Sequence, residues 1–199
     1  MTSASGGSPP PVLNIANVLT VLRLLLVPVF VWALVAEGGH DVEWRLGAFA
    51  VFVLAAITDR FDGELARRWG LVTAFGTMAD PIADKALMGS ALIGLSALGL
   101  VPWWVTVVIL GREIGITLLR LAVLRHGIIP ASRGGKAKTL VQTVAIGLYV
   151  LPLPELFGGS ELLDGARWAF LLVAVLLTVA TGVDYILRAI RLRSAAPTG

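Results

Sequence analysis

Four aspartates, Asp59, Asp62, Asp80 and Asp84, stand at spacings that let them act as one group. Residues three or four apart share a helix face. A helix through 59–67 therefore puts Asp59, Asp62, Gly63, Ala66 and Arg67 on one stripe, and a second through 76–84 does the same for Gly76, Asp80 and Asp84. The eight residues between Arg67 and Gly76 are enough to fold one stripe back upon the other. Four carboxylates brought together repel one another unless cations neutralise them. A ligand set of oxygens selects hard divalent ions, Mg2+ or Mn2+. Two such ions roughly 4 Å apart stabilise both the attacking and the leaving oxygen of a phosphoryl transfer. Gly63 and Ala66 leave bare backbone on the acidic face, which gives a nucleotide room, and the planar fork of Arg67 suits its phosphates.

A bland alternative exists for each residue alone. A single aspartate near a helix end is usually a cap or simply solvated, and Asp80 before Pro81 reads as a helix start. Four acids in register with two glycines, an alanine and an arginine favour the joint reading. Asp184 and Glu113 have no such company, and each is expected to pair with a nearby arginine.

The elements that carry these residues follow from composition. Of 199 residues, 57% are hydrophobic and 15% charged, against about 25% charged in a soluble domain. Six apolar segments, 18–36, 46–66, 82–100, 102–124, 138–153 and 167–188, are each near the length that spans a bilayer as a helix. The second is apolar to Thr58 and charged from Asp59, so its last turns reach the membrane surface or pass it. The chain is thus expected to be an all-α integral membrane protein of six transmembrane helices. Residues 1–12 form a disordered tail, 13–193 the membrane domain and 194–199 a second tail. The opening lacks the basic region and cleavage site of a signal peptide. There is no cysteine, and only His40 and His126, so a thiolate or histidine-built metal site is ruled out or disfavoured.

Basic residues set the orientation. Arg60, Arg67 and Arg68 follow the second segment, Arg125, Arg133, Lys136 and Lys138 the fourth, and Arg188, Arg191 and Arg193 the sixth. The opposite loops hold Arg45 and Arg167 with six acids: Glu37, Asp41, Glu43, Glu155, Glu161 and Asp164. Both termini and the acidic site are expected on the cytosolic side of the cell membrane. No nucleic-acid partner is expected.

The pattern D-x2-D-G-x2-A-R-x8-G-x3-D-x3-D resembles the signature of the CDP-alcohol phosphatidyltransferase family. Asp59, Asp62, Gly63, Ala66, Arg67, Gly76, Asp80 and Asp84 match it at every fixed position. The resemblance implies a six-helix membrane fold, a homodimer, and transfer of a phosphatidyl group from CDP-diacylglycerol to an alcohol. It also implies that the four aspartates hold two metal ions and that Asp84 takes the proton of the attacking hydroxyl. The same resemblance points to Gly63, Arg67 and Thr73 as contacts of the CDP moiety, with Ala66 and Gly76 part of that surface. The stretch from Asn14 to Arg23 looks like the family's lead-in to its first span, and implies donor contacts for Asn17 and Thr20.

The acceptor is argued from other residues. A phosphorylated alcohol needs further cations, and Arg112 lies well inside the fourth segment, where an ionised side chain is costly and usually functional. Glu113 points about 100° away from it on a helix, so the two are not obviously a self-contained pair. Lys136 and Lys138 follow Arg133-Gly134-Gly135 at the cytosolic mouth of the fifth segment. Arg112, Lys136 and Lys138 are expected to bind the acceptor phosphate; the competing reading has the lysines only anchoring a helix end. The stretches 80–85, 111–114 and 135–139 with Gln142 are similar to the phosphatidylglycerophosphate-forming branch of the family, which implies sn-glycerol 3-phosphate as acceptor. Other acceptors remain open, namely phosphatidylglycerol, giving cardiolipin, and a phosphorylated inositol. A cation transporter with an acidic site is a further alternative, although such sites normally lie at the midplane within inverted repeats.

Overall fold

Long apolar runs leave the backbone one economical option in lipid, a helix that satisfies its own hydrogen bonds, and each of the six apolar segments has most of its residues on one long helix, the fifth running past the helix end at Val150. The computed structural model describes residues 14–69, 73–123 and 133–194. Within them, the side chains of residues 16, 60–69, 74–81, 120–123, 133, 134, 136 and 192–194 lie outside the description. The helices are α1 (Ile15–Val35), α2 (Val42–Trp69), α3 (Ala74–Ala97), α4 (Trp103–Val123), α5 (Arg133–Val150), a short α6 (Leu153–Phe157) and α7 (Glu161–Ser194). Between the fifth and sixth apolar segments, the chain carries the short α6 and the first turn of α7. The expected helix start at Asp80-Pro81 is corrected: α3 begins at Ala74 and runs through Pro81. Membrane helices tolerate an interior proline because neighbouring groups re-satisfy the freed carbonyl.

The chain divides into two compact units, residues 1–90 and 91–199, with the boundary inside α3. In the first unit, Asn14 caps α1, its side-chain oxygen accepting from the Asn17 backbone N–H at 3.0 Å. The 3₁₀ turn Ala36–Gly39 reverses the chain through positive φ at Glu37, Gly38 and Gly39. Asp41 then accepts from the Trp44 N–H at 2.9 Å and starts α2. Here α1 packs along α2. The pairings Arg23–Asp59, Phe30–Phe52 and Trp32–Trp44 run in opposite order along the two helices, which makes the pair antiparallel. The buried stripe joins Phe30, Ala33 and Leu34 to Ala48, Phe52 and Ala55.

The second unit opens on the end of α3. Gly99, at φ 73°, takes the left-handed position that closes a helix. The Leu100 N–H reaches the Leu95 carbonyl and the Gly99 N–H that of Ser96, both near 3 Å, the paired bonds of a Schellman cap. Pro102 follows, and the Ser96 and Thr106 hydroxyls tie the end of α3 to α4 at 2.7 Å. Helix α7 packs against both α4 and α5. Its buried residues Arg167, Leu171, Ala174, Val175, Thr178 and Gly182 recur at helical spacing, and face a core that includes Val105, Ile109, Ala145 and Ile146. Arg167 pairs with Asp164 at 3.0 Å and lies 4.4 Å above the Tyr149 ring.

Large apolar side chains also point outward, among them Leu25, Val29 and Trp32 on α1 and Leu162, Leu176 and Ile190 on α7. Such a surface is out of place in water. Among the described residues, 17–39 and 161–191 are long and apolar enough to cross a bilayer.

Candidate functional site

In the first unit, the candidate residues stand on the antiparallel α1–α2 pair, at Thr73 and on α3. Asp59 lies where the apolar part of α2 ends, and the helix continues unbroken to Trp69. Arg23 is fully buried on α1 and donates to the Asp59 carboxylate at 2.6 Å, while Asp59 stays 41% exposed. This anchor was not foreseen. The available signal was a single arginine in an otherwise apolar run, since a charge inside a membrane segment normally has a partner. Asn17 and Thr73, both expected at the donor site, are 56 residues apart in sequence. They are brought together, with the Thr73 hydroxyl donating to the Asn17 side-chain oxygen at 2.9 Å. Both are buried, as is Thr20. Asp84 is half-buried on α3.

The side chains of Asp62, Gly63, Ala66, Arg67, Gly76 and Asp80 lie outside the described residues, so the four-carboxylate cluster is not tested as geometry. Among the described residues no three acidic or histidine side chains gather as a metal site. The two described members of the set, Asp59 and Asp84, fit a hard divalent ion: each offers carboxylate oxygens and neither is fully buried.

In the second unit, α4, α5 and α7 bring together a polar cluster. The Arg112 Nη1 donates to the Glu113 Oε1 at 3.0 Å and its Nη2 to the Thr181 Oγ1 at 3.0 Å. Lys138 donates to the same Glu113 oxygen and is 6% exposed. Glu113 thus pairs with a nearby arginine as expected, and Lys138 and Thr181 join the two, so the pair is not self-contained. Their Cβ directions diverge, but two long side chains bend back to meet. The expected pairing of Asp184 with an arginine is found at Arg188, 3.0 Å away. Lys138 is turned inward to Glu113, and Lys136 lies outside the described side chains. Two cations sharing one carboxylate leave one positive charge in place for an anion. Gln142, one turn beyond Lys138, is buried, and its side-chain oxygen has no hydrogen-bond partner among the described residues. Thr181 and Gly182 were not singled out from the sequence, where they look like ordinary small residues of an apolar helix.

The CDP-alcohol phosphatidyltransferase family model matches residues 13–180, and the chain belongs to this family. With the outward apolar faces of α1 and α7, that membership makes it a membrane protein and a phosphatidyltransferase. Among its relatives is a probable phosphatidylglycerophosphate synthase of Mycobacterium tuberculosis, 61% identical over 89% of this chain and 82% of that protein. The CDP-diacylglycerol–glycerol-3-phosphate 3-phosphatidyltransferase of Bacillus subtilis is 36% identical, covering 86% and 93%. A CMP-forming cardiolipin synthase of Streptomyces coelicolor is 34% identical, covering 82% and 72%.

Proposed function

We propose that this protein transfers the phosphatidyl group of CDP-diacylglycerol to the 1-hydroxyl of sn-glycerol 3-phosphate, giving phosphatidylglycerophosphate and CMP. The observation that carries the reading is the 61% identity to the mycobacterial relative of that name. The eight-residue match from Asp59 to Asp84 supports it. Asp59, Asp62, Asp80 and Asp84 hold two divalent ions, Mg2+ or Mn2+, which when bound neutralise charge on the donor pyrophosphate and the departing CMP. Asn17, Thr20, Gly63, Ala66, Arg67, Thr73 and Gly76 form the donor surface, where Arg67 meets phosphate and the small residues leave room for the nucleotide. Asp84 accepts the proton of the glycerol hydroxyl as its oxygen attacks the phosphorus that bears diacylglycerol. The bond from that phosphorus to CMP breaks, and CMP leaves with the electron pair. Arg112, Lys136 and Lys138 bind the acceptor phosphate. The rest of the chain contributes positioning.

Six helices, α1 to α5 and α7, cross the cell membrane, with both termini and the acidic site on the cytosolic side, and the protein works as a homodimer. The distribution of Arg and Lys supports the orientation. The Streptomyces relative favours one rival, phosphatidylglycerol as acceptor. The test incubates purified protein and Mg2+ with CDP-diacylglycerol and, separately, glycerol 3-phosphate, phosphatidylglycerol or inositol phosphate, then identifies the lipid by mass spectrometry. Phosphatidylglycerophosphate with equimolar CMP is expected. Cardiolipin as the main product would replace the acceptor, and CMP release with none of them would overturn the reaction.

A further inference from the structure

Arg112 is assigned above to the acceptor phosphate, and an arginine holds an anion well only if its guanidinium is already in place. A free arginine loses rotamer freedom when it is fixed. The structure shows what fixes this one. Of five N–H bonds on a guanidinium, one goes to Glu113 and one to Thr181. The Nε is buried without a hydrogen-bond partner among the described residues, against α7 at Gly182. Among the described residues, that leaves one N–H on each Nη to meet an anion.

The α7 side of this arrangement is specific in two ways. The Thr181 hydroxyl hydrogen is committed along its own helix, donating to the Leu177 carbonyl at 2.6 Å. Its lone pairs are therefore turned outward, and one receives the Arg112 Nη2. At the next residue, a Cβ on Gly182 would stand 3.2 Å from the Arg112 Cγ and 3.6 Å from its Nε. The first distance is shorter than an ordinary contact, so the arginine stem lies in a slot that exists because position 182 has no side chain.

We propose that Thr181 and Gly182 are positioning residues for the acceptor. Together they form the seat on α7 that sets where the Arg112 guanidinium lies, and so how tightly the phosphate of the acceptor alcohol is held. The inference rests on the acceptor role of Arg112, and neither residue touches the reacting atoms. Thr181→Val keeps the shape and removes the hydrogen-bond acceptor. Gly182→Ala keeps the hydroxyl and pushes the stem. Thr181→Ser restores the hydroxyl without the methyl.

Full-length protein in detergent micelles is assayed for CMP release while glycerol 3-phosphate and CDP-diacylglycerol are varied in turn, with melting temperatures measured alongside. Thr181→Val is expected to raise the KM for glycerol 3-phosphate roughly tenfold, as for loss of a hydrogen bond to a charged group. Gly182→Ala should raise it a few-fold, and Thr181→Ser should return it close to the parent value. The KM for CDP-diacylglycerol and the melting temperature should stay near those of the parent. Arg112→Ala separates the two levels of the argument. If it raises the acceptor KM while Thr181→Val and Gly182→Ala do not, the seat on α7 is refuted and the role of Arg112 stands. If Arg112→Ala leaves the acceptor KM unchanged, both fail. Equal changes in donor and acceptor KM would show a structural role only and overturn the proposal.

Discussion

Replacing Arg23 with methionine probes the pair that joins α1 to the acid-bearing end of α2. Methionine keeps most of the buried apolar stem and deletes the guanidinium, so the loss is mainly that of the charge pair. Removing one partner of a fully buried pair costs about 3–5 kcal/mol, and exposed pairs are worth about 0.2–1 kcal/mol. This pair is lopsided, with Arg23 fully buried and Asp59 41% exposed. The stranded carboxylate is then partly rescued by solvent, and the cost should fall near 2 kcal/mol, as for a hydrogen bond to a charged group. At about 2–4 °C per kcal/mol for a chain of this size, the melting temperature should drop by about 4–8 °C. Both residues make further interactions, so the pairwise part is isolated by a cycle of Arg23→Met, Asp59→Asn and the double variant. Thermal melts in detergent with chelator should give a coupling of about 1–2 kcal/mol. A coupling indistinguishable from zero would refute the view that Arg23 holds Asp59.

Asp84→Asn should lower the rate of CMP release by about 100-fold or more while the protein still folds, as read by its melting temperature; near-normal turnover would remove Asp84 from the reaction. The orientation can be read directly because the chain has no cysteine. Ser160→Cys should react with a membrane-impermeant maleimide in intact cells, and Ser194→Cys only after lysis, and the reverse pattern would invert the topology.

The helices were legible because runs of about 20 apolar residues admit little else in lipid. The family was legible because the spacing of Asp59, Asp62, Asp80 and Asp84 is its signature; the gathering of the four around metal ions belongs to the proposal. What escaped was whatever depends on side-chain length or on tertiary approach. Glu113 was expected to find an arginine and does so at Arg112, but that Lys138 on α5 would share its carboxylate and Thr181 on α7 would hold Arg112 lay beyond any local pattern. Arg23 was visible as a lone charge, but its partner lies 36 residues away, beyond any local pattern. Asp80-Pro81 looked like a helix start because proline suits a first turn, whereas α3 had already begun at Ala74. Arg45 and Arg167 were counted as topology markers, and both prove to be buried. Thr181 and Gly182 carry no signal of their own until Arg112 is seen against them.

The unbroken course of α2 ties chemistry to the lipid environment. Its 28 residues make a rod of about 42 Å, longer than a hydrocarbon layer of about 30 Å. Its apolar part ends at Thr58, so the charged turns beyond it act as a lever whose angle is set by the packing of α2 against α1. Tilting it by about 10° around its centre swings either tip sideways by about 4 Å, several times the misplacement of about 1 Å that is ruinous to a reacting group. The ionic and aromatic links between α1 and α2 are then shear bolts, whose strength decides how far a change of membrane composition can detune turnover.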